Sequence, residues 1–127
     1  MREIKFRAWD KQNKVWVKGG ISLDVNGELY QVDVKPLRIA ENRVYEVMQY
    51  TGLKDKNGIE IYEGDIIKYK LDHNDYDNKP YIQVPVSWID WLGAFSLALV
   101  MCNPNLKPID WDTIEVIGNI YENKELL

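Results

Sequence analysis

In this 127-residue chain the residues able to do chemistry are few, and their spacing limits what they can do. There is one histidine, His73, and one cysteine, Cys102. Acid–base and nucleophilic triads need an imidazole beside a partner group. His73 stands instead in Leu71-Asp72-His73-Asn74-Asp75-Tyr76-Asp77-Asn78, a polar, acidic stretch that reads as a solvated loop. Counted as a calcium loop from Asp72, it has Asp77 where the sixth position needs glycine and Gln83 where the twelfth needs glutamate. One Cys and one His cannot complete the four-ligand sites that zinc commonly occupies. Gly52, Gly58 and Gly64 recur every six residues, but no Gly-Lys-Ser/Thr follows them, so they read as turn positions rather than a phosphate cradle. Asp110 and Asp112 flank Trp111 and read as a wet strand edge rather than a catalytic pair. No catalytic residue, metal ligand or cofactor is therefore expected, and the chain is expected not to be an enzyme.

One constellation remains, and it depends on the elements that present it. Ile4, Phe6 and Ala8 alternate with Lys5, Arg7 and Trp9, and Val15 and Val17 alternate with Lys14, Trp16 and Lys18. The polar turn Asp10-Lys11-Gln12-Asn13 between them predicts an antiparallel hairpin. With Trp9 opposite Lys14, Arg7 faces Trp16 and Lys5 faces Lys18, while Ala8 meets Val15 and Phe6 meets Val17. The apolar face, with Ile4, is expected inward. The other would present Lys5, Arg7, Trp9, Lys14, Trp16 and Lys18, a basic–aromatic mixture of the kind that holds single-stranded nucleic acid by phosphate attraction and base stacking. In the competing reading both indoles pack on the body of the protein with the cations stacked over them.

Period-two alternation continues along the chain, and stretches at helical spacing are scarce. Asn26-Gly27 joins Ile21–Val25 to Leu29–Val34 as a second hairpin. A short helical turn is expected over Pro36–Asn42. Strands follow at Val44–Tyr50, Ile59–Tyr62, Ile66–Leu71, Tyr81–Ile89, Ala94–Val100 and Thr113–Tyr121, the last interrupted by Gly118, with a loop over Thr51–Gly58. The expectation is a mainly β fold of several short antiparallel strands with little helix. It is one domain over residues 1–127, with N-terminal hairpins over 1–45 and a further β region over 46–127.

Three blocks carry a family resemblance: Arg2 to Asp10; Met48 to Gly58 with Glu60 to Asp65; and Glu115 to Asn123. Together they resemble the YopX proteins, with Lys124 standing where a proline is usual. The resemblance implies a protein of bacterial viruses and prophages, and a β-rich fold whose later half is similar to a small SH3-like barrel. It implies no activity, cofactor or catalytic residue. Gly64 suits a barrel entry by permitting a sharp bend, after which Ile66 and Ile67 fill opposite sheet faces.

Composition is that of a globular protein, at 46% hydrophobic and 28% charged. A lone cysteine and the lack of an apolar leader or spanning run point to the cytoplasm and no membrane association, and the YopX resemblance implies that the cell is bacterial. The net charge of −4 argues for a protein partner. Residues 1–20 run the other way, with six Lys or Arg against two acids. Five Trp in so short a chain are more than one small core readily buries, so a homo-oligomer is expected, most simply a twofold dimer. The leading reading is a non-enzymatic phage accessory protein that binds a host or phage protein. A nucleic-acid-binding module is the alternative, and a phage enzyme ranks third.

Overall fold

The computed structural model of the chain describes residues 3–19, 21–27, 29–31, 37–38, 45–70, 81–97 and 111–127. The chain is mainly β, and the described strands pair antiparallel, as the alternation predicts. It divides into two compact units, Met1–Tyr50 and Thr51–Leu127. The acidic loop around His73, together with Cys102 and Asp110, lies outside the described residues.

The first unit begins with β1 (Phe6–Asp10) and β2 (Val15–Trp16), joined by a turn that Asp10 organises. The Asp10 Oδ1 accepts the backbone N–H groups of Gln12 and Asn13, each at 2.9 Å, and its Oδ2 accepts the Asn13 side-chain amide at 2.7 Å. Lys14 closes the turn with φ +55°, a left-handed conformation uncommon outside glycine and asparagine. The turn therefore takes Lys11 to Lys14, and Asp10 pairs with Val15. This corrects the expected register by two residues: Trp9 lies opposite Trp16, not Lys14. A slip of two preserves the sides, so Trp9 and Trp16 still share a face that excludes Phe6.

β3 (Ile21–Leu23) and β4 (Leu29–Gln31) form the second hairpin, with Ile21 opposite Gln31. Its bend uses Gly27 at φ +79°, and Asp24 Oδ1 accepts the Asn26 N–H at 2.8 Å. The helical turn expected from Pro36 is not formed at Leu37 and Arg38, which make β5 (Leu37–Arg38) by pairing with β4; the rest of that stretch lies outside the described residues. β6 (Tyr45–Lys54) pairs through its first half with β1, Trp9 opposite Glu46 and Arg7 opposite Met48.

In the second unit β6 continues past Tyr50, where a loop was expected from Thr51. The strand persists because β7 (Glu60–Tyr62) pairs with it and the Thr51 hydroxyl donates to the Ile61 carbonyl at 2.7 Å. A three-stranded sheet places β8 (Asp65–Lys70) between β9 (Tyr81–Pro85) and β12 (Glu115–Asn119). A small hairpin of β10 (Trp88–Ile89) and β11 (Ala94–Phe95) lies between β9 and β12 in sequence. The long strand expected over Tyr81–Ile89 is thus broken at Val86 and Ser87, and the one expected from Ala94 ends at Phe95. The core of this unit is Ile61, Ile67, Tyr69, Val86, Leu97 and Ile114, with Ile82, Val84, Phe95 and Val116 packed against it. Ile66, on the other side of β8 from Ile67, is also fully buried.

Gly118 interrupts β12 as expected, at a register shift after Val116. A Cβ there would come within 2.5 Å of the Asn123 Oδ1 and 2.9 Å of its Cβ. Gly118→Ala should therefore destabilise the protein by roughly 1–3 kcal/mol through overpacking. Urea denaturation checks this, and Asn123→Gly in the same chain should recover part of the loss.

Candidate functional site

The six residues singled out from the sequence are only partly gathered on one surface. Trp9 and Trp16 meet edge to face, with centroids 5.0 Å apart and planes at 70°. The Arg7 guanidinium lies 4.5 Å from the Trp16 ring centre, and the Lys5 ammonium 5.5 Å from that of Tyr50. Lys5 is also ion-paired with Glu3 at 3.1 Å. Lys14 stands in the turn and Lys18 beyond the end of β2, both exposed.

This face is not the open platform the alternation suggested. Trp9 is only 7% exposed, and Met48 and Tyr50, its face-mates on β6, are buried. On the face expected inward, Ala8 is fully buried but Ile4 and Val15 are more than half exposed. Both sides of β1 are covered in part, which period-two patterning cannot reveal. Trp9 does not offer its ring to a base in this arrangement. Trp16, Lys5 and Arg7 remain half-buried.

Three buried carboxylates, those of Asp10, Asp55 and Asp65, are engaged by backbone amides. Asp55 Oδ1 accepts the N–H groups of Asn57 at 2.8 Å and Ile59 at 2.9 Å, while its Oδ2 accepts Val116 N–H at 3.0 Å. Burial acts to raise its pKa, but these three donors, with the Lys56 charge, hold it below the usual carboxylate value. Asp65 Oδ2 accepts the Tyr62 N–H at 2.8 Å. Asp10 is held low by the Asn13 backbone N–H first and its side-chain amide second. All three carboxylates hold turns. Among the described residues no three His, Cys, Asp or Glu side chains are gathered as a metal site.

A surface missed in the sequence lies on the β10–β11 hairpin. Trp91 at its tip is 78% exposed, with Trp88 and Leu92 exposed beside it. The tip is fixed: Gly93 N–H donates to the Ile89 carbonyl at 2.9 Å, and Trp88 packs edge to face on Phe95 at 5.1 Å. Phe95 in turn rests on the core. Over residues 81–97 the only charged side chain is Asp90. That scarcity of charge around tryptophans was the signal available in the sequence, because interface centres are aromatic-rich and charge-poor.

A family model described as YopX protein matches residues 5–127. The chain belongs to the YopX family. Protein EF1440 from Enterococcus faecalis is similar across 100% of this chain and 99% of its own, at 33% identity and a TM-score of 0.64. Protein yopX from Bacillus subtilis shares the fold over the same proportions, at 23% identity and a TM-score of 0.55. No curated protein matches. The stretches that carry the YopX resemblance do structural work. Asp55 ties its own turn to β12, and Gly64 bends at φ +83° ahead of Asp65. Asn119 Oδ1 accepts the N–H groups of Tyr121 and Glu122 at 3.0 and 2.9 Å. Lys124 opens a short 3-10 turn, Lys124–Leu126.

Proposed function

We propose that this chain is a non-enzymatic protein-interaction module, an accessory protein of bacterial viruses or prophages acting in the cytoplasm of the host cell. The observation that carries the reading is the exposed, charge-poor aromatic surface of the β10–β11 hairpin. Exposed indoles held on a fixed hairpin lose little conformational entropy on binding and bury a large apolar area. The hairpin from Trp88 to Phe95 carries no Lys or Arg to attract a phosphate backbone, and the Lys68 ammonium lies over Tyr81 on β9, 4.3 Å from its ring centre. The buried carboxylates, engaged by turn amides, support a scaffold rather than a catalyst. The bends and sheet of the second unit suit an SH3-like barrel, and the family resemblance favours the phage setting. The test is retention of protein from bacterial extract on the immobilised chain, with and without nuclease. Retention that survives nuclease supports the reading, and retention abolished by it refutes it. No helix among the described residues is long and apolar enough to cross a membrane.

A nucleic-acid role is favoured by one observation, the Arg7 guanidinium stacked over the half-buried Trp16. If Lys5, Arg7, Lys14 and Lys18 each neutralise a phosphate, log affinity for single strands should fall with log salt at a slope of about −3. Trp16→Ala should then cost roughly 1–3 kcal/mol of binding and leave that slope intact. No binding at low salt removes this reading.

A further inference from the structure

We propose that Asn26 is a site of spontaneous self-modification, where the side-chain amide is lost through a cyclic imide formed with Gly27. Two turns of this chain carry the sequence Asp-x-Asn-Gly: Asp24-Val25-Asn26-Gly27 and Asp55-Lys56-Asn57-Gly58. They fold alike. In both, the glycine N–H donates to the aspartate carbonyl at 3.0 Å and the asparagine N–H to the aspartate Oδ1 at 2.8 Å. Gly27 and Gly58 each take φ +79°, and a Cβ on either would meet nothing within 4 Å. Asn26, Gly27, Asn57 and Gly58 are all exposed, so water reaches both pairs.

Asparagine amides are chemically labile, and a following glycine exposes them most, because no side chain crowds its nitrogen. The Gly27 nitrogen gives its proton to water and attacks the Asn26 Cγ. The N–Cγ bond forms, the Cγ–Nδ2 bond breaks, and Nδ2 leaves as ammonia. Water then opens the ring at one of its two carbonyls, leaving either aspartate or isoaspartate, whose chain runs through the side chain. One water is taken up for each ammonia released, and no oxidant or cofactor enters. In the closed turn the attacking nitrogen is held by the aspartate carbonyl, so the rate follows the ease of local opening. That ease separates the two turns. The Lys56 N–H donates to the Ile114 carbonyl at 2.9 Å, the Asp55 Oδ2 accepts the Val116 N–H at 3.0 Å, and Lys56 is ion-paired with Glu115 at 3.1 Å. Opening the 55–58 turn therefore pulls it off β12 and the residue before it. The 24–27 turn joins two strands of three residues each, and Val25 at its tip is fully exposed. Asn26 is the reactive position and Asn57 its protected counterpart.

Peptide mapping by mass spectrometry tests this on the full chain, incubated at neutral pH and sampled over weeks. Each conversion makes its peptide one dalton heavier, and an isoaspartyl methyltransferase labels the isoaspartate fraction. In the folded chain Asn26 should convert roughly tenfold or more faster than Asn57, since opening the second turn also breaks a hydrogen bond from β12 to a charged acceptor. In concentrated urea the two rates should converge, because both asparagines then differ only in the residues around a shared Asn-Gly pair. Conversion of Asn57 as fast as Asn26 in the folded chain overturns the proposal. An Asn26 left intact in the folded chain over that period overturns it as well.

Discussion

Replacing Asp55 with alanine is expected to destabilise the protein by about 1–3 kcal/mol. The substitution removes the acceptor of three backbone N–H groups at once. A buried donor left without a partner costs ~1–3 kcal/mol. The Asn57 and Ile59 N–H groups can turn to water, since both residues are exposed, but the Val116 amide lies at the junction of the turn with β12. Asp55→Asn should recover only part of the loss, because its amide side donates where an acceptor is needed. A pH dependence follows. Asp55 has a folded-state pKa below its unfolded value, so its contribution is fully present above the unfolded pKa, near about 4, and disappears as pH falls through the folded pKa. Asp10 acts in the same direction. Urea midpoints should therefore be flat from neutral pH to about 5 and drop below 4, and in Asp55→Asn the drop should be shallower.

A second large effect separates the core from the exposed hairpin. Ile67→Ala should cost about 3–4 kcal/mol, because its side chain is 1% exposed and closely surrounded by Ile61, Tyr69, Val86, Leu97 and Ile114. Trp91→Ala removes a far larger side chain and should change stability by less than about 0.5 kcal/mol, as surface substitutions do. Urea denaturation of the two variants, followed by far-ultraviolet circular dichroism, gives both numbers. If Trp91→Ala destabilised the protein as much as Ile67→Ala, the indole would belong to the fold and the interaction surface would lose its main residue.

The strands were readable because half-buried sheets impose period two. β1, β2, β3, β7 and β8 stand close to where alternation and turn residues place them. The hairpin register was not readable. It depends on how many residues the turn takes, which Asp10 sets with its own carboxylate and Lys14 with its positive φ. The inward side of β1 was also hidden, since Trp9 is buried on one face and Ala8 on the other. The continuation of β6 past Tyr50 depended on a hydroxyl-to-carbonyl bond from Thr51 to Ile61, a tertiary contact with no local trace. Trp91 was missed because the five Trp were weighed together, as more than one small core readily buries, with none of them but Trp9 and Trp16 assigned to a surface. Only the lack of charge around it over residues 81–97 sets it apart.

Under the proposed function, binding falls on the charge-poor hairpin rather than on the basic β1–β2 turn. Its most direct test is retention of protein from nuclease-treated bacterial extract by three immobilised chains: the wild type, Trp91→Ala, and Lys14→Ala with Lys18→Ala. The wild type and the double lysine variant should retain the same protein, and Trp91→Ala should lose it. Retention that persists in Trp91→Ala but vanishes in the lysine variant would contradict it.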